Sequence, residues 1–258
     1  MNPPAPSATA IIPARLGSER FPRKVLADAT GLPLIVHVCQ AASKARRVER
    51  VVVAAGEQEI VDAVHSHGFE ALLTDPDHPN GTSRVAEAAG ALGLTSDSIV
   101  VNVQGDEPEI EAAVIDAAIN ALSTSDAPVS TVASPFAADA DEADPNVVKA
   151  VLDSNGDALL FSRAPIPHDR DGRGVSRLRH VGIYAYRRWF LDRVGTLEPT
   201  PLETAERLEQ LRFLEHGFRI AVAVETASGV GIDTPEQYQA FAERCAALGA
   251  VKHGEHAP

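Results

Sequence analysis

Two carboxylates stand side by side in this sequence, Asp106 and Glu107, shortly after an almost continuous run of β-branched residues at 99–103. Such a run is typical of a central strand that is covered on both faces. Gly105 then frees the backbone to turn, and Pro108 prevents the strand from continuing. Because ligands bind outside the carboxyl ends of strands in open α/β sheets, the two acids could hold Mg²⁺ and its substrate phosphates. A solvated acidic turn is the alternative that this stretch leaves open.

The loop after the first predicted strand reverses the charge of the chain. The net charge is −13, yet residues 15–24 contain four cations and one acid. The cations are Arg15, Arg20, Arg23 and Lys24. Guanidinium forks and an ammonium suit a triphosphate, and Gly17 and Ser18 allow backbone amides to approach its oxygens. The loop matches neither the dinucleotide GxGxxG nor the Walker pattern, so we predict phosphate binding of another kind, with a solvated basic loop as the alternative.

Two further segments carry polar residues where helices are expected to begin. Asn80 or Thr82 could cap a helix, or Gly81, Thr82 and Arg84 could contact a base or a phosphate. Asp233 follows the last predicted strand and precedes the last predicted helix. An acid near a helix start needs no functional explanation, so the sequence pattern alone leaves its role open.

The elements that would position these loops alternate between strand and helix as far as Pro108. Strands are predicted at 8–12, 50–55, 70–74 and 99–104, and helices at 35–42, 60–64 and 85–92. Pro13 is expected to end the first strand. The alternation with short links is typical of a doubly wound, right-handed α/β arrangement.

The pattern changes after Pro108. Strands are predicted at 129–134, 146–152, 157–161, 179–186 and 219–224, and helices at 113–122, from 200 to 214 and from Thr234 onward. Asn155-Gly156 indicates a hairpin. The strand at 179–186 has one polar, aromatic face, which could line a pocket or face solvent. We therefore predict a single α/β domain with a mostly parallel doubly wound sheet and a smaller antiparallel lobe on the substrate side.

Composition limits the classes of function. The chain has 258 residues, of which 45% are hydrophobic, so a globular fold is expected. Its negative charge argues against nucleic acid or an anionic membrane surface as a partner. No stretch approaches the roughly 18 apolar residues of a membrane span. Residues 1–7 lack the pattern of a signal peptide and are expected to be a short disordered lead, so a soluble cytoplasmic protein with buried free thiols at Cys39 and Cys245 is predicted.

Short motifs in a fixed order connect these features. They are Ile12-Pro-Ala-Arg15-x-x-Ser18-x-Arg20-x-Pro22-x-Lys24, His78-x-x-Gly81-Thr82-x-Arg84, Val101-Asn-Val-Gln-Gly-Asp-Glu-Pro108, Pro145-Asn-x-Val-Lys149, Phe161-Ser-Arg163-Ala, Arg179-His180-x-Gly182-Ile-Tyr184, Pro201-Leu-Glu-x-x-Glu206-x-Leu-Glu-Gln-Leu-Arg212 and Gly231-Ile-Asp233-Thr-Pro235. In this order, from Ile11 to about Ala246, the chain resembles the 3-deoxy-manno-octulosonate cytidylyltransferase (CMP-Kdo synthetase) family.

The resemblance implies a complete set of functional assignments. It implies the fold of nucleotide-sugar synthetases, coupling of CTP to Kdo with release of pyrophosphate for lipopolysaccharide assembly, a need for Mg²⁺, and a homodimer. Residues 8–108 would bind the nucleotide, and residues 109–248 the sugar and the second subunit. Arg15 and Lys24 would hold the CTP phosphates, and Asp106 and Asp233 the metal. The nucleotide set is Ala14, Arg15, Ser18, Arg20, Lys24, Gly81, Thr82, Arg84 and Asp106. The sugar set is Gln104, Arg163, His180, Tyr184, Glu209 and Gln210.

The chain departs from the family pattern at three places. Arg23 stands where the family has a glycine, Asn80 where it has a serine, and Ala55-Gly56 where it usually has Thr-Asp. The last departure lies near the expected base pocket. Two alternatives remain: another acid-sugar nucleotidyltransferase, for an amino-Kdo or a sialate-like sugar, or a nucleotide-binding regulator without catalysis. The Ser18-x-Arg20-x-Pro22-x-Lys24 motif argues against the sialate branch.

Overall fold

A central β-sheet organises the chain in a computed structural model, which describes residues 7–229 and 231–254. Its strands are β1 (Ala8–Ala14), β2 (Val48–Ala55), β3 (Glu70–Leu73), β4 (Ile99–Asn102), β5 (Val129–Pro135), β6 (Lys149–Leu152), β7 (Ala158–Ser162), β8 (Leu178–Arg187) and β9 (Ile220–Val224). The helices are α1 (Leu34–Ala42), α2 (Gln58–Ser66), α3 (Gly81–Ala91), α4 (Ala112–Ser123), α5 (Arg188–Val194), α6 (Pro201–Glu206), α7 (Glu209–Glu215) and α8 (Pro235–Gly254), with a 3-10 turn at Lys24–Leu26. No helix among the described residues has the length and apolar character needed to cross a bilayer.

The strand order is β3-β2-β1-β4-β8-β5-β9, with the β6–β7 hairpin attached to β8. Strands β1 to β4 pair in parallel, and so do β5 and β9. Strand β8 runs antiparallel between β4 and β5. The predicted mostly parallel sheet with a smaller antiparallel lobe is therefore confirmed. The long strand β8 joins the two halves of the sheet, because it pairs with β4 along one edge and with β5 along the other.

Helices cover both faces of the sheet, as the doubly wound pattern predicts. Helices α1, α2 and α4 pack through aliphatic side chains against one face, and α3, α5 and α7 against the other. The first face includes the predicted helical stripe of Ile35, Val38, Cys39 and Ala42, all buried. The last helix adds a small apolar cluster around Tyr238 and Phe241. This layering leaves the carboxyl ends of β1, β2 and β4 as the open edge.

The structure corrects several boundaries. Pro13 does not end β1, because it lies within the strand opposite Ala54 and needs no amide donor there. The helix predicted from 200 to 214 is two helices, broken at Arg207, whose backbone is left-handed with φ of 53°. Helix α6 begins after Thr200 as predicted, and the Glu203 side chain of the predicted capping box accepts from the Thr200 amide at 3.4 Å. Helix α5 was not predicted, since it continues directly from β8. Cys39 is buried as expected, but Cys245 is only half-buried. The lead expected at residues 1–7 lies, apart from Ser7, outside the described residues.

Candidate active site

A cleft of about 500 Å³ opens at the carboxyl ends of β1 and β4. It is lined by Pro13, Ala14, Arg15, Gly17, Ser18, Glu19, Arg20, Lys24, Val25, His78, Asn80, Gly81, Arg84, Gln104, Gly105, Asp106 and Asp233. The predicted nucleotide set thus converges on one cavity, with the exception of Thr82. From the predicted sugar set, Gln104 lies in the same cavity. The position agrees with the rule that ligands of α/β sheets bind beyond the strand ends.

Gly105 allows the two strand ends to meet. A Cβ atom at this position would lie 2.7 Å from the carbonyl oxygen of Pro13, so a side chain cannot be accommodated. The close approach lets the turn after β4 pass over the end of β1. The carbonyl oxygen of Asp106 then accepts a hydrogen bond of 2.8 Å from the Ile232 amide. This bond brings the 231–233 segment, which is remote in sequence, against the strand end and places Asp233 beside Asp106.

Lys24 lies between these two aspartates, and we call Lys24, Asp106 and Asp233 the acid–lysine cluster. Its Nζ is 2.6 Å from Asp106 Oδ2 and 3.0 Å from Asp233 Oδ1. The second oxygen of Asp233 contacts Arg20 at 2.9 Å. Burial alone would lower the pKa of Lys24, but the two carboxylates outweigh it and raise the pKa above its ordinary value. Lys24 is therefore a charged ammonium held in the cleft.

The donor set of this cluster suits a hard divalent cation. Within the part of the chain that the structure describes, no group of three or more His, Cys, Asp and Glu side chains could hold a metal ion. Two carboxylates that already surround a cation provide part of an oxygen coordination sphere, and Mg²⁺ commonly completes such a sphere with water and substrate phosphates. Asp106 and Asp233 therefore fit a metal that arrives with, or is completed by, a phosphate-bearing substrate.

Asp106 and Glu107 point to different environments although they are adjacent in sequence. Asp106 lines the cleft, whereas Glu107 packs beneath β8 and the 231–233 segment, with Oε1 3.6 Å from the position of a Cβ on Gly182. Burial raises the pKa of Glu107 to about 7, and the charge of Asp106 adds to the rise. The acidic pair predicted from the sequence is thus one carboxylate in the cleft and one beneath it.

The basic loop is fixed at both ends. The Leu16 amide donates to both oxygens of Glu57, at 3.1 and 3.2 Å, and the Arg23 amide donates to the Leu16 carbonyl at 3.1 Å. Arg15 is exposed at the mouth of the cleft, so its fork is free to meet an anion. Arg23 instead pairs with Glu59 outside the cleft. Its φ of 60° is a left-handed conformation, which explains why a glycine suits this position in the family.

The loop before α3 is tied to α7. Asn80 is the helix cap, because its Oδ1 accepts from the Ser83 amide at 2.8 Å. The carboxylate of Glu209 accepts from Asn80 Nδ2 at 2.7 Å and from Thr82 Oγ1 at 2.5 Å. Thr82 is buried and does not line the cleft. Glu209, expected to bind sugar, is thereby bonded to the loop that carries Gly81 and Arg84.

Arg84 lies under this loop rather than projecting from it. It is 2% exposed and donates to Thr74 Oγ1 and to the carbonyls of Asp75 and Pro76. Burial lowers its pKa. A Cβ on Gly56 would lie 3.1 Å from Arg84 Nη1, so the small residue after β2 makes room for the guanidinium. The Ala55-Gly56 departure therefore has a packing consequence, because a side chain at position 56 would meet the Arg84 guanidinium.

The remaining residues of the predicted sugar set lie on β8, α7 and the end of β7. The ring of His180 contacts Thr131 Oγ1 at 2.9 Å, and burial lowers its pKa to about 4. The Tyr184 ring stacks on Tyr186 and is tilted against His180, and burial raises its pKa. Gln210 is buried, and its Nε2 has no hydrogen-bond partner among the described residues. We call His180, Tyr184, Glu209 and Gln210 the β8–α7 cluster.

Arg163 is oriented by Glu206, which the sequence motif contains but to which no role was assigned. Its Nε donates to the Glu206 carbonyl at 2.8 Å and its Nη1 to the Pro145 carbonyl at 2.9 Å. The Glu206 carboxylate accepts from the Arg163 amide at 3.0 Å. Glu57, which anchors the basic loop, was also missed. Glu206 lies in the predicted helix from 200 to 214 and Glu57 between a predicted strand and a predicted helix, and only their tertiary partners distinguish them from surface acids.

Comparison with known proteins identifies the family. Residues 9–220 match the family model described as cytidylyltransferase. The chain is 50% identical over 244 residues to the 3-deoxy-manno-octulosonate cytidylyltransferases of Acidovorax sp. (strain JS42) and Acidovorax ebreus (strain TPSY). Each of these matches covers 88% of this chain and 93% of the relative.

Solved structures agree with the sequence relatives. A structure of CMP:2-keto-3-deoxy-manno-octonic acid synthetase complexed with CTP is 37% identical, has a TM-score of 0.88 and matches 94% of this chain and 99% of its own. HddC from Yersinia pseudotuberculosis, at 15% identity, covers 92% of this chain and 99% of its own with a TM-score of 0.62, and it shows the shared fold alone. The chain belongs to the cytidylyltransferase family and, within it, to the 3-deoxy-manno-octulosonate cytidylyltransferases.

Proposed function

We propose that this protein transfers CMP from CTP to 3-deoxy-manno-octulosonate, giving CMP-Kdo and pyrophosphate for lipopolysaccharide assembly. The observation that carries the proposal is the acid–lysine cluster at the strand ends, beside the basic loop. The cleft offers cations for a triphosphate and two carboxylates for a metal. The names of the relatives at 50% identity support CTP and Kdo as the substrates.

Positioning and charge neutralisation account for the reaction. Arg15, Arg20 and Lys24 bind the phosphates and hold the α-phosphorus for in-line attack by the sugar hydroxyl. Asp106 and Asp233 would hold Mg²⁺, which would supply charge neutralisation for the phosphates and polarisation of the attacking hydroxyl. Pyrophosphate leaves on the side of the basic loop, whose guanidinium groups stabilise its developing charge.

The sugar subsite extends from Gln104 in the cleft toward Arg163 and the β8–α7 cluster. Arg163 has one nitrogen that is not used by the Glu206 and Pro145 carbonyls, which makes it the partner of choice for the sugar carboxylate. Gln210 has an amide nitrogen without a partner among the described residues, and it would donate to a sugar hydroxyl.

The second half of the chain, residues 109–248, would also carry the homodimer contact. Leu159 on β7 and Val224 on β9 are 60% and 54% exposed and would be candidates for this contact. Light scattering after gel filtration would show the mass of a dimer. The enzyme would act in the cytoplasm, where its nucleotide substrate is made, and cell fractionation tests this.

The experiment is a pyrophosphate-release assay with Kdo and each of the four nucleoside triphosphates in the presence of Mg²⁺. We expect CTP to be used well ahead of UTP. Parallel reactions contain CTP with an amino-Kdo or a sialic acid, so that the acid-sugar alternative is tested directly. Equal turnover with CTP and UTP, or preference for another sugar, would reject the assignment. Binding of CTP without pyrophosphate release from any sugar would favour the regulator.

A further inference from the structure

Lys24 makes an unusually complete set of contacts for a lysine that is expected to bind substrate. Its Nζ donates to Asp106 Oδ2 at 2.6 Å, to Asp233 Oδ1 at 3.0 Å and to the Ile232 carbonyl at 3.0 Å. An ammonium has three protons, so all of them are used. The side chain is 12% exposed, compared with 67% for Arg20. Lys24 thus lies in the wall of the cleft with every proton of its ammonium bonded to a protein oxygen.

The ammonium occupies the position that the two carboxylates would offer to a metal. A divalent cation and an ammonium repel each other at such short range, so a metal bound to Asp106 Oδ2 and Asp233 Oδ1 would have to displace the ammonium from them. The three hydrogen bonds of the ammonium must then find other acceptors. Phosphate oxygens in the same cleft are such acceptors, because a phosphate accepts charge-assisted hydrogen bonds from lysine. The flexible four-carbon stem allows the ammonium to move without the backbone.

We propose that Lys24 acts as an internal cation that fills the metal position until the nucleotide binds, so that the metal binds tightly only together with the triphosphate. This inference rests on the proposed function and assigns Lys24 a second role, in the order of binding. The triphosphate draws the ammonium onto its oxygens and exposes Asp106 and Asp233 together. By thermodynamic linkage, the nucleotide and the metal then raise each other's affinity by the same factor.

The test is a titration of metal-free protein with Mn²⁺, without nucleotide, followed by electron paramagnetic resonance of free Mn²⁺. The proteins are wild type, Lys24→Met and Lys24→Gln, each checked for folding by circular dichroism. We expect both variants to bind Mn²⁺ about tenfold more tightly than wild type, or more, because no charge-assisted bonds have to be broken. With CTP and no sugar, water-proton relaxation should show that wild type gains Mn²⁺ affinity and that Lys24→Met gains much less.

Two controls tie the effect to this position. Arg23→Gly removes a cation that belongs to the same loop but pairs with Glu59. The Mn²⁺ affinity of this variant should equal that of wild type. Combining Lys24→Met with Asp106→Asn should abolish the gain. Unchanged or weaker Mn²⁺ binding in both lysine variants, or a gain that survives Asp106→Asn, overturns the inference. Turnover of wild type with CTP and Kdo is measured separately, so that its absence rejects the proposed function and its presence leaves the Mn²⁺ result to decide the inference alone.

Discussion

The acid–lysine cluster and the β8–α7 cluster place polar side chains in opposite situations. Asp106 and Asp233 are 30% and 43% exposed, and their side chains form ion pairs with Lys24 and, for Asp233, also with Arg20. Glu209 and His180 instead bond neutral groups of the protein, Glu209 to Asn80 and Thr82, and His180 to Thr131. The acid–lysine cluster can bind a ligand by giving up ion pairs. The β8–α7 cluster would have to break hydrogen bonds that hold separate elements together.

The difference separates catalytic from architectural consequences. Ion pairs with solvent access contribute little to stability, because water and salt replace the lost partner. A buried acceptor leaves its donors without a partner when it is removed, and that loss lowers the free energy of unfolding. Substitutions in the acid–lysine cluster should therefore affect turnover far more than stability. Substitutions in the β8–α7 cluster should affect both.

The sharpest test of this contrast removes the carboxylates. Asp106→Asn and Asp233→Asn should each lower kcat by about 10³-fold, because both aspartates hold one metal. The double variant should cost little more, since residues that act as a unit are non-additive. Steady-state kinetics across a Mg²⁺ series measures this, and excess metal should partly restore the single variants. Effects that multiply would show that the two aspartates act independently, and near-normal turnover of Asp233→Asn would leave Asp233 as a helix-start acid.

Removal of the cluster's cation should be the next largest effect. We expect Lys24→Ala to lower kcat by about 10²-fold, as for the loss of one preorganised charge. Arg23→Gly is the matched control in the same loop. It should leave kcat nearly unchanged and alter the unfolding free energy by less than about 1 kcal/mol, because relief of the left-handed conformation offsets the loss of an exposed ion pair. Comparable losses of kcat in both variants would mean that the loop acts through its total charge.

A substitution of Glu209 tests the same contrast in the β8–α7 cluster. Glu209→Ala should lower the unfolding free energy by about 1 to 3 kcal/mol, because Asn80 and Thr82 lose their acceptor. Urea denaturation measures the change, with Glu243→Ala on the exposed face of α8 as the control expected to stay within about 0.5 kcal/mol. A Glu209 variant of wild-type stability that has lost only affinity for Kdo would return this residue to direct sugar binding.

The smallest expected effect is a pH dependence from His180. Burial lowers its pKa from 6.5 to about 4, so the unfolded chain binds this proton more readily than the folded protein. The stability that the protein has with His180 neutral is fully present above pH 6.5, and it is lost as the pH falls toward 4. Between pH 7 and 5.5 the unfolding free energy should fall by about 1 kcal/mol from this group. Denaturation at several pH values should show a shallower slope in His180→Gln, and an equal slope would contradict the assignment.

Local sequence was sufficient for much of the fold. The alternation of β-branched strands with amphipathic helices predicted the layers, and Asn155-Gly156 predicted the hairpin, whose Gly156 has φ of 86°. The capping pattern at Thr200 predicted where α6 begins. These features depend on residues within one turn or one strand of each other, so sequence spacing contains the information. The break at Arg207 was missed, because the left-handed conformation of a non-glycine residue is imposed by packing.

The candidate site shows the same division between features that depend on local sequence and features that depend on tertiary structure. The sequence by itself determined which residues could bind phosphate and metal, since charge reversal in the basic loop and acids at a strand end are local properties. Only the tertiary structure decided their partners. The Ile232–Asp106 backbone bond brings Asp233 to Lys24, and Glu209 meets the loop before α3 across the molecule. Such pairs are fixed by the packing of distant segments against one sheet edge, and hydrogen bonds between segments so far apart leave no periodic signal in the chain.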